Sequence, residues 1–209
     1  MSNNLDYLNR VYLKIDLDKI CNNTKEVMKR VGKDTKVMAV VKADAYGHGA
    51  IEVSKALSEI GTYGFAVATV GEALALRRAG ITKPILILDF VFPNQFETII
   101  RNDIMLTVFR YEIAKELNEA AEQMGTTAHI HIKVDTGMGR IGYIPDDESV
   151  DEIRRIAQLP NIEIDGIFTH FACADEADKT SMNRQFAKFK DFVGKLEEIG
   201  INIPIKHVC

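Results

Sequence analysis

The sequence predicts an α/β barrel built from strand–helix steps, and three observations point to it. Short β-branched runs alternate with longer stretches of helical period along the whole chain. No linker, low-complexity tract or shift of composition divides it. Its 209 residues, 46% of them hydrophobic, suffice to bury a large core. A doubly wound parallel sheet fits the same alternation, and pattern alone separates the two poorly.

The elements follow in order. Tyr12–Asp16 alternates like a strand, and a helix over Asp18–Val31 begins at an acidic residue suited to helix starts and stops at Gly32. Lys36–Lys42 is the next strand, followed by a helix over Ala50–Ile60 that Gly61 ends. Gly64–Thr69 precedes a helix over Gly71–Ala79 with Gly80 after it, and Ile85–Leu88 precedes one over Asn94–Arg101, where Asn94 suits the start. Ile104–Val108 leads to Tyr111–Met124 and its stop at Gly125, and Ala128–Val134 leads to Glu148–Gln158. Ile162–Thr169 leads to Lys179–Ile199, stopped by Gly200, and Ile203–Val208 is the last strand. The apolar stripes of the Tyr111–Met124 and Lys179–Ile199 helices are core faces opposite solvated ones.

A complete eight-stranded barrel takes ~250 residues. Here the sequence stops on the apolar run Ile203-Pro-Ile-Lys-His-Val-Cys209 with no helix after it. The expectation is a single truncated barrel domain over 1–209.

Charge and cysteine usage exclude several classes. A net charge of −4 with acids and bases interleaved offers no basic stripe for a nucleic-acid backbone. Three cysteines, Cys21, Cys173 and Cys209, are odd in number and lack a C-x-x-C pair, which suits a reducing cytoplasm better than a disulfide framework or a zinc knuckle. Met1 to Arg10 is polar and resembles no signal peptide, and no apolar run approaches the ~18 residues of a membrane span.

The strongest local signal is Val37-Met-Ala-Val-Val-Lys42-Ala-Asp-Ala-Tyr46-Gly-His48-Gly49. Period-two alternation puts Met38, Val40 and Lys42 on one face, so a lysine stands at the carboxyl end of an otherwise apolar strand. Catalytic groups of barrels sit at that end. Desolvation there disfavours an ammonium and suits an amine that attacks an aldehyde and later accepts a proton. A lysine that snorkels out of a strand end is the plain alternative. The following Tyr-Gly-His-Gly adds two glycines where a turn needs permissive dihedrals, with a phenol and an imidazole around it.

Ala39-Val-Val-Lys-Ala-Asp-Ala-Tyr-Gly-His-Gly49 resembles, nearly letter for letter, the pyridoxal-phosphate (PLP) lysine motif of the alanine racemase family. The resemblance continues in register through Lys133-Val-Asp-Thr-Gly-Met-Gly-Arg-Ile-Gly142 and Gly166-Ile-Phe-Thr-His-Phe-Ala-Cys-Ala-Asp-Glu176, covering essentially the whole chain. It implies a (β/α)8 TIM-type barrel, incomplete at about seven barrel strands and lacking the family's C-terminal β domain. The strand over Tyr12–Asp16 resembles one that the family lends to that domain. The residues past Cys209 would carry an Asn-Ser pair for the cofactor phosphate and an arginine facing the pyridine nitrogen.

Carried over by position, the resemblance implies Lys42 as the Schiff-base lysine and the base for the D-enantiomer. Tyr46 lies near the cofactor phosphate, His170 packs beside the pyridine ring, and Arg140 reaches the phenolic oxygen and the substrate carboxylate with its fixed fork of donors. Met138 contacts substrate through its backbone. Lys133 matches a lysine often carbamylated in the family, against the alternative of an ordinary lysine paired with Asp135 on the same strand face. The second acid–base group is a tyrosine from the β domain of the other subunit of a homodimer. The implied activity is interconversion of L- and D-alanine, supplying D-alanine for peptidoglycan, with the 209-residue chain alone inactive or nearly so. A racemase of serine or lysine, or a one-domain PLP-homeostasis barrel that binds without catalysing, are the alternatives.

Two further features carry less. Asp135-Thr-Gly-Met-Gly-Arg140 lacks both the dinucleotide and the P-loop glycine spacing. His129 and His131 share a strand face without other ligands at metal spacing, and read as polar strand residues.

Overall fold

The computed structural model describes residues 11–208. The expectations for Met1 to Arg10 and for Cys209 lie outside the described residues. Seven parallel strands follow one another in chain order, β1 Met38–Val40, β2 Gly64–Val67, β3 Ile85–Ile87, β4 Met105–Val108, β5 Ala128–Val134, β6 Ile162–Thr169 and β7 Ile205–Val208. Helix α1 Leu17–Val31 precedes β1, a short turn, α2 Lys42–Gly47, follows it, and helices α3 Ala50–Glu59, α4 Val70–Arg78, α5 Phe96–Arg101, α6 Tyr111–Met124, α7 Asp147–Ile156 and α8 Thr180–Glu198 separate the strands in turn. The sheet is an open α/β half-barrel, as the alternation predicts, rather than a doubly wound sheet whose strand order reverses.

Each strand explains its own burial. Alternate residues of β2 to β5 face the helices, where Phe65, Ile85, Ile87, Leu106, Ile130 and Ile132 are fully buried and contribute about 1.5–3 kcal/mol each. The helices answer with matched spacing: Phe189, Phe192, Val193 and Leu196 of α8 recur at three and four residues and are all buried. The opposite face forms a smaller inner cluster of Leu86, Met105 and Phe168 with Met38 and Leu88 packed on it. Val40 on β1 and Val208 on β7 keep 37% and 41% of their surface exposed at the two edges of the open sheet.

Helix ends follow sequence signals with small shifts. The first helix is capped by the Asp16 side chain, which accepts from the Lys19 N–H, so Asp18 lies inside its first turn rather than at its start. Asn94 lies in a short 3-10 turn, Pro93–Gln95, just ahead of α5. Gly125 closes α6 with a left-handed φ of 64°.

One expected strand is corrected. Residues 12–16 form no strand, and Val11, Tyr12 and Leu13 are 88%, 59% and 84% exposed. A strand exists only through a neighbour that takes its N–H and C=O groups, and none pairs with this segment among the described residues. Alternation alone was a local signal without a partner.

Candidate active site

The residues singled out from the sequence gather at the carboxyl ends of the strands. Lys42 follows β1, Lys133 is the penultimate residue of β5, Arg140 lies in the loop after β5, and His170 directly follows β6. His170 lies within electrostatic reach of the other three. Burial depresses its pKa first, and the charges of Arg140, Lys133 and Lys42 push the same way. Three cations thus bear on an imidazole held towards its neutral form, an arrangement that attracts an anion and suits a flat neutral ring beside it.

Backbone geometry after β1 is unusual. Ala43, Asp44, Ala45 and Tyr46 all take left-handed dihedrals, with φ of 50°, 54°, 51° and 55°. For L-residues this costs roughly 1–2 kcal/mol each, so about 4–8 kcal/mol over the turn. Strain of that size persists only where surrounding bonds over-determine it. Val41 N–H donates to the Ala66 carbonyl at 2.9 Å, Ala45 N–H to the Val41 carbonyl at 2.9 Å, and Gly49 N–H to the Asp44 carbonyl at 3.0 Å. Side chains hold it as well: Asp44 Oδ1 accepts the Ala50 N–H at 2.7 Å, His48 Nδ1 lies 2.9 Å from the Ala45 carbonyl, and Glu72 Oε1 accepts the Ala43 N–H at 2.7 Å. The glycines of the motif take the permissive dihedrals that the sequence suggests, with φ of 84° at Gly47 and 86° at Gly49, and the left-handed winding extends back through the tyrosine, aspartate and alanines before them.

Asp135 builds the loop that carries Arg140. Its Oδ1 accepts the N–H groups of Gly137, Met138 and Gly139 at 3.0, 2.8 and 3.1 Å, and Oδ2 accepts that of Arg140 at 3.0 Å. Burial raises the Asp135 pKa, but these four backbone donors outweigh it and leave the carboxyl below its usual range. The glycine-rich run is thus wrapped around the chain's own carboxylate. Gly142 returns so close that a Cβ there would stand 2.6 Å from the Asp135 nitrogen. The hydroxyls of Thr136 and Thr169, 2.8 Å apart and buried, tie the loop to the end of β6.

Lys133 is 3% exposed, and its ammonium donates to the carbonyls of Val134 at 2.8 Å and Ile141 at 3.2 Å. The four backbone bonds of Asp135 make that carboxylate the organiser of its loop. Lys42 is half-buried, less desolvated than its strand-end position implied. Tyr46 is 61% exposed, Arg140 is exposed and Met138 half-buried. Sequence reading missed Asp135 as the loop's organiser, although an aspartate followed by two glycines is a turn signal, and missed Glu72, whose bond to Ala43 joins residues 29 apart.

At the opposite end of the strands, His129 Nδ1 lies 2.9 Å from Asp165 Oδ2, and Glu163 brings a third potential ligand atom within 4.8 Å of both. Asp165 is the extra residue of a bulge where the β5–β6 register shifts. The grouping spans two strands, so spacing along the sequence does not reveal it.

The chain matches the family described as alanine racemase, N-terminal domain, over residues 15–209. It belongs to the alanine racemase family. It is 51% identical over 197 residues to an alanine racemase of Methanococcus maripaludis, covering 94% of this chain and 53% of that protein. It is 49% identical over 203 residues to the alanine racemase of Clostridium tetani, covering 97% and 52%. Among solved structures, alanine racemase of Clostridium difficile 630 superposes with a TM-score of 0.88 at 44% identity, covering 92% of this chain and 52% of that one. The Bacillus anthracis alanine racemase with bound L-Ala-P superposes at 0.87 with 36% identity, covering 93% and 50%. The chain therefore spans about half the length of these alanine racemases. No described helix is long and apolar enough to cross a membrane.

Proposed function

We propose that this chain is the barrel half of a PLP-dependent alanine racemase, an isomerase interconverting L- and D-alanine, with Lys42 carrying the cofactor. The observation that supports it most is the placement of Lys42, Arg140 and His170 at the carboxyl ends of β1, β5 and β6, on sequence runs that match the family. The amine of Lys42 and the guanidinium of Arg140 at a barrel mouth fit a cofactor bearing an aldehyde and a phenolic oxygen and a substrate bearing a carboxylate. When bound, the cofactor supplies the electron sink that makes an amino-acid α-proton removable.

The chain's own residues do the rest. Lys42 Nζ holds the cofactor covalently and exchanges the α-proton on one face. Arg140, with its backbone pinned by Asp135, presents a planar fork to the carboxylate and the phenolic oxygen. Met138, pinned by the same carboxylate, offers its backbone to substrate. His170, disfavoured as a cation, packs beside the ring. Tyr46 sits on the phosphate side, and its present exposure leaves its hydroxyl accessible. Carbamylation of Lys133 belongs to the same proposal: it turns a buried cation into an anion that holds Arg140.

Family resemblance extends the proposal to the whole protein. It is a cytoplasmic homodimer that supplies D-alanine for peptidoglycan, and its second base is a tyrosine of the partner subunit's C-terminal β domain. The 209-residue chain alone is then nearly inactive. In the full-length protein, borohydride treatment after PLP loading is expected to fix the cofactor on Lys42 by peptide mass mapping, and alanine to turn over faster than serine or lysine. An unlabelled Lys42 overturns the proposal, faster turnover of serine or lysine reassigns the substrate, and cofactor binding without turnover of any of the three favours a binding module.

A further inference from the structure

Glu72 does more than cap its helix. At position three of α4 its carboxylate reaches back to the Thr69 N–H at 3.1 Å while the Thr69 hydroxyl accepts the Glu72 N–H at 3.2 Å, which completes a capping box. That motif requires nothing further. Yet Oε2 also accepts the Ala68 N–H at 2.8 Å, and Oε1 accepts the N–H of Ala43 at 2.7 Å, the shortest of the three backbone bonds it receives. Ala43 directly follows Lys42 and is the first residue of the left-handed turn.

We propose that Glu72 is a positioning residue for Lys42: by holding the Ala43 N–H it keeps the left-handed turn wound and fixes the direction in which the lysine side chain leaves the backbone at the start of that turn. The inference rests on the function proposed above and adds a residue to it. A carboxylate is needed because three N–H donors converge on two oxygens, and both must accept. An amide has one acceptor oxygen, so in Glu72→Gln either Ala43 or the Ala68–Thr69 pair faces an NH2 group instead. Of the side chains that brace the turn, Asp44 and His48 hold its far end, at Ala50 and Ala45, whereas Glu72 holds its start next to the lysine.

The test uses the full-length protein loaded with PLP, comparing Glu72→Gln with Thr69→Ala, which breaks the capping box but leaves the Ala43 bond. Glu72→Gln is expected to lower kcat on alanine about 10-fold or more, since small misplacements of a reacting group are costly, with KM changing far less. It is also expected to weaken cofactor retention and to quicken hydrogen exchange at the Ala43–Tyr46 amides. Thr69→Ala is expected to lower the melting temperature comparably while leaving kcat and the turn's exchange within about twofold. Adding Ala43→Gly to Glu72→Gln is expected to recover part of the lost kcat, because glycine adopts the left-handed dihedrals without a Cβ penalty.

Equal effects of Glu72→Gln and Thr69→Ala, or a loss that Ala43→Gly does not relieve, assign Glu72 to helix capping and overturn the inference. If borohydride labels Lys42 in the wild type and Glu72→Gln behaves like it, this inference alone fails. If the wild-type Lys42 is never labelled, the proposed function fails and takes this inference with it.

Discussion

His131 Nδ1 on β5 lies 2.8 Å from His207 Nε2 on β7, across the intervening strand β6. Phe168 of β6 stacks on the His207 ring with centroids 4.6 Å apart and planes 10° from parallel. Two facing imidazole nitrogens form a hydrogen bond only when one bears a proton and the other does not. Burial and then the charge of His207 depress His131 to about 3, and burial depresses His207 to about 4.

The pair predicts an acid-sensitive fold. The folded pKa values lie below the ordinary 6.5, so between about 6.5 and 4 the unfolded chain binds protons that the folded one refuses. This stability is fully present above pH 6.5 and is lost as pH falls, at up to ~1.4 kcal/mol per pH unit for each imidazole. Urea denaturation between pH 7.5 and 4.5 measures it, and His207→Asn should flatten the slope by roughly half. An unchanged slope in that variant contradicts the assignment.

Gly166→Ala should be costly. A Cβ at Gly166 would stand 2.4 Å from two atoms of the His131 ring, and that ring is fully buried between strands. The expected loss is about 1–3 kcal/mol or more, read as a lower denaturation midpoint at constant m-value. His131→Ala in the same chain should relieve part of it.

Arg77 stitches the amino ends of the strands. Its guanidinium donates to the carbonyls of Asn102, Ile81, Lys83 and Asp103 at 2.9, 2.8, 2.7 and 2.5 Å. Arg77→Met leaves these acceptors without their donor and should destabilise the chain by about 2–4 kcal/mol. Arg77→Lys, lacking the planar fork, should recover only part of it in a thermal melt.

Asp135→Ala releases four backbone N–H groups and with them the loop from Gly137 to Arg140. Cofactor affinity of the full-length protein should fall about 10-fold or more, since a positioned Arg fork becomes a mobile one. Absorbance titration with PLP measures it. An affinity within twofold of wild type would separate Arg140 from cofactor binding.

The sequence by itself determined the alternation of seven parallel strands with helices, because period-two and helical patterns are local and each recorded which face meets the core. It also marked Lys42, Lys133, Arg140 and His170, since strand ends and the three family signatures are contiguous runs of residues. Only the tertiary structure decided the rest. The bond from Glu72 to Ala43 and the contacts His129–Asp165 and His131–His207 join residues 29, 36 and 76 positions apart, distances over which no periodicity survives. The left-handed turn after Lys42 runs against the preference of each of its residues and holds because distant groups bond it there. Tyr12–Asp16 is the converse: its alternation reads as a strand, but a ladder needs a second strand, and the fold gives it none among the described residues.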